Sequence, residues 1–155
     1  MPRAGVRGSA TKANQDLLIL EVQHITHIFP EDTDETIAFA AGGVNNTFGA
    51  WAEVKDNNNV TLSSKVATQS AHISSLLVEH SSLRDKVYLI ELSYGISKTI
   101  ISKHRFLSGD SPFLPAVQQA RVRAAHVPAG ETIYYRMKCE TAAATCQVSF
   151  RYHYH

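Results

Sequence analysis

The stretch Cys146–His155 reads Cys-Gln-Val-Ser-Phe-Arg-Tyr-His-Tyr-His. Apolar or aromatic residues occupy every second position, and polar or charged residues occupy the positions between them. A repeat of two residues is the period of a β-strand with one buried face. A second alternating segment, 131–138, precedes it, and small residues lie between the two. The sequence therefore predicts a terminal β-hairpin with 140–145 as its loop.

Short segments of the same kind recur along the chain, with turn residues between them. One of them, 17–29, also fits a helix, because Leu17, Leu20 and His24 are spaced near the helical period. The absence of a convincing long helical pattern favours an all-β fold, either an antiparallel β-sandwich or a jelly-roll-like barrel. The predicted strands are 17–29, 36–41, 50–55, 71–80, 86–94, 98–106, 117–125, 131–138 and 145–155.

The chain of 155 residues has a net charge of +1, but its charges are unevenly distributed. Arg3, Arg7 and Lys12 lie within the first 15 residues, which contain no acid, and 12 basic and 14 acidic residues remain for the rest. We therefore expect a flexible basic N-terminal arm over 1–16 and a single β-sandwich domain over 17–155. Such an arm suits contact with the acidic surface of a partner, whereas three charges are too few for strong nucleic-acid binding.

The composition is that of an ordinary globular protein, with 44% hydrophobic and 19% charged residues. No apolar run approaches the roughly 18 residues that a membrane-spanning helix requires. The basic N-terminus has no apolar segment behind it, so it does not match a secretory signal. We expect a protein that is made and kept in a cytoplasm.

Two cysteines, Cys139 and Cys146, flank the final predicted turn. If they faced each other across a hairpin, their separation could suit a disulfide. Because no secretory signal is present, reduced thiols that pack in the interior are the preferred interpretation. The spacing of seven, with no other cysteine, does not match a zinc motif.

Gly130 follows Pro128 and Ala129 in the turn before the segment 131–138. A type II turn with Pro128 as its first central residue would place the positive φ on Ala129, where alanine is disfavoured. We therefore predict a type I turn followed by Gly130 in the left-handed region.

Eight histidines raise the question of a metal site. His153 and His155 share one strand face, and His24 and His27 would share a face only on a helix. No acidic residue or cysteine stands at ligand spacing beside either pair. We expect no metal and no other cofactor, and we interpret His153 and His155 as facing solvent or another subunit.

Other catalytic patterns are weak. The segment 127–131, Val-Pro-Ala-Gly-Glu, resembles part of the cupin pattern, but no histidine follows it before His153, so the resemblance covers a fold element and not a metal site. There is no nucleophile elbow and no phosphate-binding glycine loop. The acidic cluster from Glu31 to Glu35 is interpreted as a solvated loop. We predict that the protein is not an enzyme.

Three segments carry a more specific likeness: 46–54 (Asn-Thr-Phe-Gly-Ala-Trp-Ala-Glu-Val), 88–95 (Tyr-Leu-Ile-Glu-Leu-Ser-Tyr-Gly) and 127–136 (Val-Pro-Ala-Gly-Glu-Thr-Ile-Tyr-Tyr-Arg). Together they resemble small β-sandwich structural proteins encoded by tailed bacteriophages. That family typically has an asparagine-threonine-aromatic-glycine-x-tryptophan segment and, later, a proline-alanine-glycine-threonine turn before an arginine-bearing strand. Phe48 and Glu131 depart from this pattern, since the family tends to have tryptophan and threonine there.

The resemblance implies a virion component, most closely a head decoration or cement protein that binds and stabilises the shell of the major capsid protein. Such jelly-roll proteins commonly form trimers over junctions between capsid subunits, with an N-terminal arm reaching a neighbour. It therefore implies a homo-oligomer, a trimer, on the capsid surface, assembled in the host cytoplasm without direct contact with nucleic acid or membrane. Arg3, Arg7 and Lys12 are the partner-binding residues on this interpretation.

An alternative is a phage tail or fibre module that binds a host glycan. Trp51, together with Phe48 and the later tyrosines, would supply the stacking surface. Because aromatic residues of sandwiches mostly pack in the core, the decoration protein is the preferred hypothesis.

Overall fold

The computed structural model describes residues 12, 25–109, 118–122 and 126–155. From residue 25 onward, these segments form nine β-strands and one helical turn, α1. Within the same part of the chain, no helix is long and apolar enough to cross a membrane. The elements are β1 (His27–Phe29), β2 (Ile37–Ala40), β3 (Ala52–Glu53), α1 (Leu62–Lys65), β4 (Ala71–Ser81), β5 (Val87–Tyr94), β6 (Thr99–Leu107), β7 (Gln118–Arg121), β8 (Ile133–Cys139) and β9 (Thr145–Tyr154).

The strands form two antiparallel sheets that pack against each other, which confirms the predicted all-β sandwich. In the first sheet, β9 is central. Strands β1 and β2 pair with successive parts of β9 on one side, and β4 pairs on the other side and is followed by β7. In the second sheet the order is β3-β8-β5-β6. One continuous hydrophobic core lies between the sheets.

Strand β9 has the predicted alternation. Cys146, Val148, Phe150 and Tyr152 are each at most 1% exposed and belong to the core. Burying each large side chain of this kind stabilises the fold by about 1.5–3 kcal/mol. The apolar positions of β9 therefore hold the first sheet against the second.

The buried residues of β4 do not alternate regularly along the whole strand. Its register against β9 shifts between Ile73 and Ser75. As a result Ile73 and Leu76, three residues apart, are both buried in the core. One extra residue on a strand is a β-bulge, which bends the strand and increases its twist.

The predicted terminal hairpin is wrong, because β8 and β9 lie in different sheets. Alternation indicates which face of a strand is buried, but it does not indicate which strand lies beside it. Cys139 and Cys146 therefore belong to opposite sheets, and both are buried, free thiols. The interpretation as reduced packing residues is confirmed, and the disulfide alternative is wrong. Cys146 Sγ lies 3.4 Å from Met137 Sδ of β8.

Strand β2 joins the two sheets at one edge of the sandwich. The ring of Phe39 stacks on Tyr135 of β8, with centroids 3.7 Å apart. Just after β2, Ala41 forms an isolated bridge with Met137, and its N–H donates to the carbonyl oxygen of Ala144. Contacts of this kind cover an edge that would otherwise present unpaired backbone groups.

Gly130 has a φ of +79°, which confirms its predicted left-handed conformation. The turn itself differs from the prediction. The N–H of Glu131 donates to the carbonyl oxygen of Pro128, so Ala129 and Gly130 are the two central residues. A positive φ on the second central residue alone is the geometry of a type II turn. Pro128 is the first residue of the turn, whereas the prediction made it the first central residue.

Two predicted strands extend beyond the described residues. Of the segment 17–29, residues 25–29 are described, and the strand begins at His27. Residues 17–24 lie outside the described residues. The described part of the segment 117–125 forms β7.

The region between β3 and β4 also differs from the sequence-based expectation. The predicted strand 50–55 is reduced to Ala52–Glu53, and α1 was not predicted. The side chain of Thr61 caps α1 by accepting a hydrogen bond from the N–H of Ser64. Threonine is a favourable N-cap residue, but a single helical turn leaves too short a hydrophobic period to be recognised.

Candidate functional site

The outward face of the second sheet carries a cluster of charged side chains. Ile90 and Leu92 of β5 are buried in the core, so Leu89 and Glu91 point to the opposite face of the sheet. Cross-strand pairing arranges six residues of β8, β5 and β6 in two rows on this face. These rows, Lys138–Leu89–Arg105 and Arg136–Glu91–Lys103, are referred to below as the cationic face.

Glu91 is 2% exposed, although it points away from the core. Lys103 Nζ lies 2.8 Å from its Oε1, and Arg136 Nη2 and Nε lie 2.6 Å and 2.7 Å from its Oε2. Burial raises the pKa of Glu91, but the hydrogen bonds and charges of Lys103 and Arg136 outweigh burial, so the pKa lies below its usual value. Glu91 is therefore a carboxylate held between two cations.

Three aromatic rings border the cationic face, and each has a cation over it. The guanidinium carbon of Arg136 lies 4.3 Å from the ring centroid of Phe48 and 4.6 Å from that of Trp51. Lys98 Nζ lies 3.2 Å from the ring centroid of Tyr134. Cation–π contacts contribute about 0.5–1 kcal/mol at exposed sites.

Of the residues that the sequence identified as possible binding residues, Trp51 lies at the border of the cationic face. Trp51 is half-buried, and Arg136 lies over one face of its ring. A sugar that stacks on Trp51 therefore has only the opposite face available. Lys12 is exposed, and Arg3 and Arg7 lie outside the described residues. The proposed roles of Trp51 and of the basic arm stay predictions.

A depression of about 220 Å³ opens beside the first row of the cationic face. Arg105 and Lys138 line it, and Leu89 lies between them. Glu140 also lines it, and its Oε2 accepts a hydrogen bond from the N–H of Val87 at 3.2 Å. Sites for drug-sized ligands usually measure about 300–1,000 Å³. The depression is therefore suited to one or two side chains of a partner.

A second cluster lies on the outward face of the first sheet. His72 of β4 is opposite His153 of β9, with ring centroids 5.0 Å apart, and His126 stacks on His155 at 3.6 Å. Burial, together with repulsion from His126, lowers the pKa of His72. His153 is half-buried and His155 exposed, on the outward face that was predicted for them. No group of three or more His, Cys, Asp or Glu side chains is arranged to hold a metal ion, as far as the described residues extend.

Sequence reasoning missed both clusters. The available signal for the cationic face was Glu91, a charged residue within the apolar run Leu-Ile-Glu-Leu of β5. A buried carboxylate requires a cationic or hydrogen-bonding partner. Its partner Arg136 lies 45 residues further along the chain, so only the strand register identifies it.

Comparison with known proteins adds no assignment to this geometry. No protein-family model, no curated protein and no solved structure matches the chain.

Proposed function

We propose that this protein is a structural component of a tailed-bacteriophage virion, a decoration or cement protein that binds the shell of the major capsid protein and stabilises it. The observation that carries the proposal is the arrangement of the three segments that resemble phage β-sandwich proteins. The segments 46–54, 127–136 and 88–95 contain β3, the first half of β8 and most of β5, and these three strands are hydrogen-bonded neighbours in the second sheet. Segments far apart in the sequence thus form one continuous surface.

The residue types that mark the resemblance also contact one another. Trp51 from the early segment lies against the guanidinium of Arg136 from the late segment. Arg136 in turn pairs with Glu91 from the middle segment. A chance likeness of three short segments does not require contacts among their distinctive side chains. Because their side chains contact one another, the three segments are one structural unit in this chain, which supports the proposal.

The proposed assembly is a homo-trimer on the capsid surface, and it acts without catalysis or a cofactor. The N-terminal arm with Arg3, Arg7 and Lys12 would reach a neighbouring subunit, and the sandwich body would bind the shell.

Reconstitution with capsids tests the proposal. Full-length protein is mixed with shells assembled from the major capsid protein of the same genome, and the pellet is analysed after sedimentation. We expect stoichiometric co-sedimentation and a higher temperature of shell disruption. Lack of binding by the full-length protein, or a gene position among tail genes instead of beside the major capsid gene, would contradict the proposal.

A chain without residues 1–15 tests the role of the arm separately. We expect weaker binding to the shells and an unchanged thermal unfolding midpoint of the sandwich body, since the arm is proposed to act only on the partner. Full occupancy of the shells by the truncated chain would exclude the arm from binding and leave the rest of the proposal intact.

The second candidate is a tail or fibre module that binds a host glycan. It is favoured by the position of Phe48, Trp51 and Tyr134 around one sheet face, and weakened by the cation over each ring. Glycan-array binding that is lost in Trp51→Ala, with the fold intact by circular dichroism, would favour this candidate. Absence of array binding by the wild-type protein would remove it.

A further inference from the structure

We propose that the cationic face is a docking surface for an acidic protein segment, one rich in aspartate and glutamate. The identity of that segment as part of the capsid shell rests on the proposed function. Its acidic chemistry rests on the charges of the face alone. Four cations against one carboxylate leave the six residues with a net charge of +3.

The two rows of the face differ in how their charges are compensated. In one row, Glu91 lies between Arg136 and Lys103 and takes up part of their charge. In the other row the central residue is Leu89, so Arg105 and Lys138 flank an apolar residue. Two strand spacings separate their backbones by about 10 Å. A carboxylate placed between them would relieve their mutual repulsion and interact with both.

The shape of the surface suits such a carboxylate. The depression beside Leu89 is lined by Arg105 and Lys138 and also by Glu140, which accepts a hydrogen bond from the N–H of Val87, and it has room for one or two side chains. Lys103 is 60% exposed, so the second row also presents charge to a partner. On β6, Ile100 is 42% and Leu107 is 56% exposed. Arginine, aromatic rings and apolar residues together are the composition of a protein–protein interface.

A protein partner fits this face better than a single-stranded nucleic acid. Proteins that bind single strands stack successive bases on open aromatic faces. Here Arg136 lies over Phe48 and Trp51, and Lys98 lies over Tyr134. The guanidinium of Arg136 is moreover fixed by Glu91. The rings are therefore used to hold cations in place, and the cations remain as the groups that recognise a partner.

The first test measures binding without any capsid. Isotope-labelled full-length protein is titrated with an oligoglutamate peptide at low ionic strength, because salt screens interactions between exposed charges. We expect amide chemical-shift changes that map to β5, β6 and β8, and none with an oligolysine peptide. Shift changes that map elsewhere, or tighter binding of an oligothymidylate strand at the same face, would overturn the proposal.

The decisive variant is R105E/K138E, and K65E/R151E is its matched control. Both double substitutions change the net charge equally. Lys65 lies on α1, where its Nζ is 3.3 Å from Glu31 Oε1 in a surface ion pair, and Arg151 lies on the outward side of β9; both are away from the cationic face. We expect R105E/K138E to weaken binding of the peptide by about tenfold or more, and the control to change it by less than about twofold. The neutral variant R105Q/K138Q serves if the charge reversal fails to fold, with an intermediate loss expected.

The same variants in the capsid assay separate the two proposals. We expect R105E/K138E to reduce shell occupancy and K65E/R151E to retain it. Equal occupancy for the wild type and R105E/K138E would overturn the docking surface and leave the decoration function standing. If the wild type itself does not bind shells, the decoration function fails, and the peptide titration alone decides whether the face binds acidic segments.

Discussion

Arg136 places both its Nε and its Nη2 within 2.7 Å of a single carboxylate oxygen of Glu91, across the pair of central strands β8 and β5. The other carboxylate oxygen is 2.8 Å from Lys103 Nζ of β6. The three charged residues lie on three neighbouring strands. They are at the centre of the outward face of the sheet, and the other face packs in the hydrophobic core. Removing Arg136 leaves Glu91 buried without its two shortest contacts, so we expect a large effect on stability from this partner.

Arg136→Met is expected to lower the free energy of unfolding by about 3 kcal/mol, because it leaves the buried Glu91 with Lys103 as its one close cation in the described part of the chain. Urea unfolding at neutral pH measures the change. Lys103→Met is the matched control, and since Lys103 is 60% exposed, we expect it to cost about 1 kcal/mol or less.

The triple variant E91L/K103M/R136M distinguishes an electrostatic role of Arg136 from a role in packing. Replacing a whole buried ion pair by apolar residues of similar volume is often neutral or stabilising. We therefore expect the triple variant to be more stable than Arg136→Met alone. A triple variant that is as unstable as the single one would mean that Arg136 acts through packing on Phe48 and Trp51 instead.

His104 is expected to make stability fall as the pH drops below about 6.5. Burial lowers the pKa of His104 below its usual value of 6.5. The unfolded chain therefore takes up a proton at a higher pH than the folded chain does, and stability decreases between these two pKa values and levels off below the lower one. His72, whose pKa is also lowered, acts in the same direction.

His104→Phe tests this dependence. Nε2 of His104 is buried without a hydrogen-bond partner among the described residues, so an aromatic replacement removes a desolvation cost. We expect a variant at least as stable as the wild type at about pH 7.5, with a smaller loss towards about pH 5. His80→Gln, a change of a histidine at an exposed position, is the control variant. An unchanged pH dependence in His104→Phe would show that His104 does not contribute to it.

Strands such as β2 and β9 were predictable because one face of each is buried, and a buried face produces alternation. The alternation of β9 identifies its inward residues correctly, from Cys146 to Tyr152. Its neighbours are β1, β2 and β4, and none of them is the strand that precedes it in sequence. Which strands pair depends on the edges and loops that meet in three dimensions. The periodicity of a single strand contains no information about its neighbours.

The site was less predictable for the same reason. Glu91 needs a cation, but the chain contains 15 lysine and arginine residues. Register alone selects Arg136 and Lys103 from among them. The histidine cluster likewise unites His72 and His126 with the C-terminal pair His153 and His155. Local spacing suggested only the pair that lies on one strand.

Gly130→Val is expected to lower the free energy of unfolding by about 1 kcal/mol or more, the cost of a left-handed conformation in a non-glycine residue. A Cβ at Gly130 would meet no atom closer than 3.7 Å, so the cost is conformational and not steric. Gly43→Val is the matched control, since a Cβ there meets nothing within 4 Å and no positive φ is required. Equal thermal midpoints for the two variants would contradict the assignment.

Cys146 is expected to resist alkylation in the folded protein. Burial, with a smaller effect of Cys139, raises the pKa of the Cys146 thiol to about 12. The thiolate is the reactive form, and burial also blocks the reagent. We expect iodoacetamide to leave Cys139 and Cys146 unmodified in native buffer and to modify both in denaturant, as read by mass spectrometry.

Ala38→Cys provides the accessible comparison, because Ala38 is exposed on β2. Its thiol should be modified rapidly under native conditions, while the two native cysteines in the same chain stay protected. Failure to modify Cys139 and Cys146 in denaturant would indicate that they are oxidised, contrary to the two free thiols of the structure. Because buried thiols react only when the structure opens, the ratio of their native and denatured rates gives the free energy of that opening. A ratio close to that of global unfolding would mean that β8 and β9 separate only when the whole sandwich unfolds.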